Sequence, residues 1–169
     1  NVRKYLNIWV SDKNAAVLFT GYATLPPLST LPGITGGGEG TETTDGIWSY
    51  SSAVGSAFFF PGGIYASPNV RGRTITHEAG HYLGLRHIWG DDGRDTITGA
   101  TLPYTDPQTC LESDYCDDTP NQSIENYGTP TYPNRPNTCG NGANGDMYMN
   151  YMDYVDDNVY NMFSLGQRD

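Results

Sequence analysis

The order of apolar and polar positions predicts a strand-rich first half. Residues 3–10 and 15–23 are rich in β-branched and aromatic side chains, which favours two strands. The short runs "IWSYSS" (47–52) and "AFFF" (57–60) predict further short strands. Residues 25–46 contain Pro, Gly and Thr with no apolar face to pack, so they predict a long loop.

One helix is predicted from Arg73 to about Leu83, where Gly84 ends it. Beyond His87 the chain consists mainly of Asp, Asn, Pro, Gly and Tyr, with almost no helical periodicity. The pattern therefore predicts strands and a helix in one part, about residues 1–87, and mostly loop in the other, about residues 88–169.

The last residues predict the start of a second helix. Ser164 and Gln167 have the spacing of a capping box, which would begin a helix near Leu165. The sequence stops at Asp169 and opens directly on a strand-like run. We therefore expect this helix to be truncated and the chain to be a processed or trimmed fragment.

Composition narrows the class of protein. A chain of 169 residues predicts one domain, 1–169, and its 21 Gly and 11 Pro predict an irregular, loop-rich fold. Nine Lys and Arg stand against nineteen Asp and Glu, a net charge of -10, which argues against nucleic acid or an anionic membrane as partner. No apolar run approaches the roughly 20 residues of a membrane span. The negative net charge fits a secreted or periplasmic protein, or a protein whose substrate carries basic groups.

All three histidines of the chain fall within "THEAGHYLGLRHIW", residues 76–89. His77 and His81 are four apart, so they share one face of the predicted helix. Gly84 can take the left-handed conformation that ends a helix, which lets His87 approach from another direction. Three imidazoles can bind one Zn²⁺ and leave a fourth position open, as in catalytic zinc sites.

Glu78 follows the first histidine and is predicted to act as general base on the zinc-activated water. A bare His-Glu-x-x-His is only moderately specific, but five residues are fixed here at set spacing. A chance match in a chain of this length is on the order of 10⁻⁵. The zinc interpretation is therefore favoured over ordinary packing.

The extended motif, His77 to His87, resembles the zinc helix of the metzincin peptidases. Together with "DDTPNQS" and "MNYMDYVDDNVYNMFSLGQ" it resembles the pappalysin family, in its small prokaryotic branch. The resemblance implies an α+β fold of metzincin type. Its upper subdomain has a twisted mixed sheet with helices, its lower subdomain is irregular, and the cleft lies between them. It also implies a secreted, monomeric zinc endopeptidase made as a zymogen with an inhibitory propeptide, acting on protein or peptide substrates.

The same resemblance assigns roles in the second half. Met152 corresponds to the methionine of the family's methionine turn, and Tyr154 to a tyrosine beside the zinc that helps to hold the oxyanion. Relatives favour Arg or Lys after the scissile bond by means of an acidic residue. Asn158 stands at that position here, and the adjacent Asp156 and Asp157 can substitute, so we expect a weakened basic preference.

Cysteines and acidic residues carry further expectations from the resemblance. Cys110 and Cys139 match one family disulfide, whereas Thr129 and Val159 stand where a second pair is lost. Cys116 is expected to be a buried free thiol, with pairing to Cys110 as the alternative. The family also binds calcium, and "ESDYCDDTP" offers oxygen ligands of the required kind. The candidate ligands are Asp114, Asp117, Asp118 and Thr119.

Two rival interpretations remain at the level of sequence. A metal-binding module without catalysis would usually lose Glu78 or a ligand, and none is lost. A different zinc hydrolase would need a glutamate ligand in a second helix, but Glu112 and Glu125 lie in predicted loops, and His87 already fills that role.

Overall fold

The computed structural model describes residues 5–12, 19–26, 40–91, 107–111 and 113–169. The chain divides after Leu85 into two compact units, Asn1–Leu85 and Arg86–Asp169. The predicted strand at 15–23 and loop at 25–46 lie partly outside the described residues. The described elements are β1 (Ile8–Ser11), β2 (Gly21–Ala23), β3 (Ile47–Tyr50), α1 (Arg73–Tyr82), α2 (Leu165–Arg168) and short 3-10 helices at Ser51–Ala53 and Pro107–Leu111.

The first unit contains a mixed sheet with strand order β1-β3-β2. β1 is parallel to β3, with Ile8 opposite Ile47, and β2 is antiparallel to β3, with Ala23 also opposite Ile47. Ile47, Ser49 and Tyr50 of the central strand are almost fully buried. The sheet and helices confirm the predicted α+β class.

The strand predicted for residues 57–60 is wrong. The amides of Phe59 and Phe60 both donate to the carbonyl of Ser56, at 3.1 and 2.9 Å, so the chain turns here. All three phenylalanine side chains are exposed. An aromatic run predicts a strand only if a neighbouring strand pairs with it, and the turn bonds already use these amides.

Helix α1 begins after Gly72, packs on β2 and β3, and buries Thr74, His77, Glu78 and Gly80. Its end is formed by Gly84, which has a φ of +100° and donates its amide to the His81 carbonyl at 2.9 Å. A positive φ favours glycine, so the residue that ends the predicted helix does so for the expected reason. No described helix has the length and apolar character needed to cross a membrane.

The second unit is mostly irregular and is held by aromatic packing and buried carboxylates. Tyr148, Tyr151, Val155 and Tyr160 form its apolar cluster, with Met149, Val159 and Phe163 against it. Cys110 and Cys139 are joined by a disulfide, as predicted. Cys116 is a free thiol, as predicted, but it is half-buried rather than buried. The alternative pairing with Cys110 is wrong, because Cys110 is bonded to Cys139.

Candidate metal centre

His77 and His81 lie one turn apart on α1, with 3.2 Å between their Nε2 atoms. The Nδ1 of His81 is 2.8 Å from the carbonyl oxygen of Leu85. Because a carbonyl only accepts, Nδ1 carries the hydrogen and the Nε2 lone pair is left for a ligand. The turn made by Gly84 brings this carbonyl back over the helix end, so the residues that end α1 also orient its second histidine.

His87 is oriented by the residues that follow it. Its Nδ1 hydrogen-bonds the carboxylate of Asp91, and its backbone amide donates to the other carboxylate oxygen of Asp91 at 3.0 Å. The ring stacks on Trp89, with centroids 4.3 Å apart, and meets the Tyr154 ring edge-on at 4.8 Å. A carboxylate that accepts from Nδ1 places the hydrogen there, so Nε2 is the nitrogen whose lone pair can bind a metal.

Each of the three histidines offers one ring nitrogen, and these nitrogens all lie within 4.8 Å of one another. Within the described ranges, this is the one group of three or more His, Cys, Asp or Glu side chains placed to hold a single ion. Neutral imidazole nitrogens suit zinc among the common biological metals. The residues present therefore fit a zinc ion with three protein ligands.

Glu78 is buried beside the ligands, with only 6% of its surface exposed. Burial raises the pKa of its carboxyl group from 4.5 to about 8, because the charged form loses its hydration. The side chain lies directly against Gly21 of β2. A Cβ built on Gly21 would come within 2.6 Å of the Glu78 Oε1 and 2.8 Å of its Cγ. The missing side chain of Gly21 thus makes room for the glutamate.

The predicted methionine turn is tightly bonded. Met152 is fully buried, its amide donates to the Asn150 side chain at 2.9 Å, and its carbonyl accepts from the Ile88 amide at 3.3 Å. Tyr154 is 38% exposed and its ring contacts those of His87 and Trp89.

Sequence reasoning missed the carboxylate that builds this turn. Asp153 is fully buried and accepts four hydrogen bonds of 2.8–3.0 Å, from the amide and side chain of Asn126, the Gln122 side chain and the Tyr154 amide. Its pKa is nevertheless raised, because desolvation outweighs these bonds. The available signal was an aspartate between Met152 and Tyr154, which resembles any polar turn residue.

Two of the predicted calcium ligands, Asp114 and Asp118, accept hydrogen bonds from other residues of the protein. Asp114 is buried, and both of its carboxylate oxygens accept from the Thr119 hydroxyl, at 2.7 and 2.9 Å. Asp117 is exposed. The Asp118 carboxylate accepts from the Ser164 hydroxyl at 2.6 Å and the Gly166 amide at 2.8 Å. Calcium binding here stays a prediction.

The predicted specificity residues differ in burial. Asp157 has 1% of its surface exposed, whereas Asn158 is exposed. The neighbouring Asp156 accepts a hydrogen bond of 2.7 Å from Thr129, one of the positions where the second disulfide is lost. Of the adjacent Asp156 and Asp157, only Asp157 is buried.

The peptidase M43 family model, described as "Pregnancy-associated plasma protein-A", matches residues 59–169. This match covers the zinc-helix motif and the methionine turn, and the chain belongs to this family. The resemblance to the pappalysins is therefore confirmed.

Among relatives, an extracellular metalloprotease of Arthroderma otae is 35% identical over 103 residues, 61% of this chain and 29% of that protein. An extracellular metalloprotease of Arthroderma benhamiae is 35% identical over 71 residues, 42% of this chain and 20% of that protein. The chain thus spans less than a third of the curated relatives it matches.

Solved structures of mirolysin from Tannerella forsythia share the fold. Mature mirolysin in complex with a cleaved peptide is 39% identical with a TM-score of 0.71, covering 99% of this chain and 50% of that one. A promirolysin mutant is 38% identical with a TM-score of 0.72, covering 99% and 44%. This chain has the fold of the mirolysin catalytic domain.

Proposed function

We propose that this chain is the catalytic domain of a secreted zinc endopeptidase. The observation that carries the proposal is the grouping of the His77, His81 and His87 ring nitrogens next to a buried Glu78. Membership of the peptidase M43 family and the metalloprotease names of the relatives support it. Bound by these nitrogens, zinc would polarise both a water molecule and the scissile carbonyl.

The chain's own residues supply the proton transfers. The Glu78 carboxylate accepts a proton from the attacking water as the oxygen–carbon bond forms, and delivers it to the amine nitrogen as the carbon–nitrogen bond breaks. The Tyr154 hydroxyl donates a hydrogen bond to the oxyanion that develops on the former carbonyl oxygen. The Tyr154 ring packs against the rings of His87 and Trp89. This packing restricts the position of the hydroxyl group and so supports the proposed role.

The first prediction concerns Glu78. Replacing Glu78 by Gln keeps the size of the side chain but removes the base. The rate of peptide hydrolysis should therefore fall by about 10²–10⁴-fold. Bound zinc, measured by metal analysis, should stay at one ion per chain because all three histidines remain. Chelation should abolish the wild-type activity and zinc should restore it.

A non-catalytic metal-binding module is the second candidate. It requires zinc binding without chelator-sensitive cleavage of casein or peptides in the wild type. Cleavage by Glu78→Gln at the wild-type rate would instead overturn the assigned role of Glu78 and leave the zinc site in place.

We also propose a preference for Arg or Lys after the scissile bond, weaker than in relatives. The negative charge of Asp157, directly beside Asn158, supports it as the carboxylate that attracts the basic side chain. Asn158 removes one negative charge from the same segment. In a peptide-library cleavage profile, Asp157→Asn should reduce the basic preference, whereas Asn158→Asp should strengthen it. A wild-type profile without any basic preference would contradict this assignment.

Further parts of the proposal rest on the names of relatives. "Extracellular metalloprotease" supports secretion, and the solved promirolysin supports a propeptide that inhibits a zymogen.

We propose that the domain acts as a monomer, which size-exclusion chromatography with light scattering tests. We also propose a structural calcium ion near Asp114, Asp117 and Thr119. Dialysis into calcium-free buffer that contains zinc should then lower the melting temperature, and added calcium should restore it.

A further inference from the structure

The segment after the third histidine returns to that histidine. The Gly90 amide donates to the His87 carbonyl at 3.0 Å, which closes a tight turn. Gly90 and Asp91 then both have positive φ, +89° and +56°. A positive φ is unfavourable for most side chains, although Asp and Asn tolerate it better than others. The backbone thus adopts an uncommon conformation that brings the Asp91 carboxylate back to the His87 ring.

The Asp91 carboxylate holds His87 at two points. One oxygen bonds the ring Nδ1 and the other accepts from the His87 backbone amide at 3.0 Å. Two contacts to one residue fix the direction of the ring as well as its tautomer. A ligating histidine whose other nitrogen is bound by a carboxylate is held in the orientation that binds metal and is made more basic.

Arg86 lies near the same carboxylate. Its Nε lies 3.8 Å from the Asp91 Oδ2, and its guanidinium carbon lies 5.6 Å from the centre of the Tyr115 ring. The Arg86 side chain is 13% exposed and the Asp91 side chain 31%, so both are partly shielded from water. Tyr115 also has a positive φ, of +63°. Arg86, next to His87 in the chain, thereby contacts Tyr115 in the acidic loop, which we define as residues 113–119.

We infer that Asp91 is a positioning residue that sets the tautomer and orientation of His87 for metal binding, with Arg86 holding the Asp91 carboxylate. This inference rests on the zinc site of the proposed function. It predicts that metal affinity, and not only turnover, depends on a side chain that does not itself bind the metal.

The test uses substitutions matched to the backbone. Asp91→Gly removes the carboxylate while accepting the positive φ, and Asp91→Asn keeps an acceptor oxygen and tolerates the same φ. Asp169→Asn is the control, because it removes one negative charge from an exposed pair with Arg168 in the same unit. Zinc dissociation constants are measured on the full chain by competition with a chromophoric chelator, and melting temperatures report folding.

We expect Asp91→Gly to weaken zinc binding by about 10–100-fold. Asp91→Asn should lose less, and Asp169→Asn nothing. Long-range ¹H–¹⁵N spectra of the zinc-loaded protein should show altered ring nitrogens at His87, with His77 and His81 unchanged. The three histidines of the chain make this assignment tractable.

The inference is overturned if Asp91→Gly binds zinc with wild-type affinity and leaves the His87 signals unchanged. It is also overturned if the loss of zinc affinity in Asp91→Gly and Asp91→Asn is in proportion to the fall in their melting temperatures. That result would mean that the substitutions destabilise the fold in general. A wild-type chain that binds no zinc would instead contradict the proposed function itself. The two failures are therefore distinguishable.

Discussion

At the scale of single residues, the Nδ1 atoms of His81 and His87 each have a defined hydrogen-bond acceptor. His81 uses the Leu85 carbonyl and His87 uses the Asp91 carboxylate. Glu78 is held differently, by burial against a residue without a side chain, Gly21. The base is therefore positioned by packing, and the ligands by hydrogen bonds.

This difference yields a prediction for Gly21. Replacing it by Ala would place a methyl group 2.6 Å from the Glu78 Oε1 and 2.8 Å from the Thr74 Cγ2, so the glutamate must move. A displacement of this size should lower kcat by on the order of 10²-fold. Overpacking should also cost about 1–3 kcal/mol of unfolding free energy. Zinc content should not change, since no ligand is altered.

Gly62→Ala is the matched control, because a Cβ at Gly62 meets nothing within 4 Å. Its φ is not positive, so alanine is not strained there. This variant should keep wild-type kcat. Equal loss of activity in both variants would mean that Gly21 has no particular role in placing Glu78.

At the scale of elements, the short helix α2 is joined to the acidic loop through Asp118. Ser164 and Gln167 form the predicted capping box, with the Ser164 hydroxyl accepting from the Gln167 amide at 3.1 Å. The same hydroxyl donates to Asp118, which also accepts from the Gly166 amide. These bonds lower the pKa of Asp118, because they favour the charged carboxylate.

A pH-dependent stability follows from the lowered pKa of Asp118. A carboxyl group whose folded pKa lies below its unfolded value stabilises the fold above the unfolded pKa, and this contribution is lost as pH falls through the folded pKa. Wild type should therefore melt at a higher temperature than Asp118→Asn at neutral pH. The gap should close as the pH is lowered below about 4.

Asp117→Asn, measured in calcium-free buffer, is the control for this experiment, since it removes the neighbouring exposed charge. It should leave the pH profile of the melting temperature close to that of wild type. A gap between wild type and Asp118→Asn that stays constant down to strongly acidic pH would contradict the role of the ionised carboxylate.

At the scale of the whole molecule, the two units are stabilised in different ways. The first has a mixed sheet with helix α1 packed on β2 and β3. The second has little regular structure and relies on tyrosine packing, buried aspartates and one disulfide. Because loops do not satisfy their own backbone groups, a loop-rich unit needs side-chain acceptors and covalent links.

The disulfide should therefore carry much of the stability of the second unit. Its cysteines are 29 residues apart, and closing a loop of that size stabilises by about 3–4 kcal/mol in the chain-entropy model. Replacing Cys110 and Cys139 by Ser should lower the unfolding free energy by that order in denaturant titrations. Cys116→Ser, which breaks no bridge, should cost clearly less, and equal costs would contradict this account.

The sequence by itself determined the zinc motif, the helix that carries it and the point where that helix ends. These features depend on spacing: four residues make one helical turn, and a glycine accepts a positive φ that other residues resist. Strand β3 and the start of α2 could also be predicted from the sequence, because apolar runs and capping residues act locally. The resemblance added the disulfide, which no spacing rule determines.

Only the tertiary structure decided how the site is supported. The fit of Glu78 against Gly21, the return of Asp91 to His87 and the four bonds to Asp153 join residues distant in sequence or depend on loop dihedral angles. The turn at residues 58–60 was also decided by the tertiary structure, since an aromatic run becomes a strand only if a neighbouring strand pairs with it. Periodicity records local preference, whereas these contacts exist only once the chain has folded.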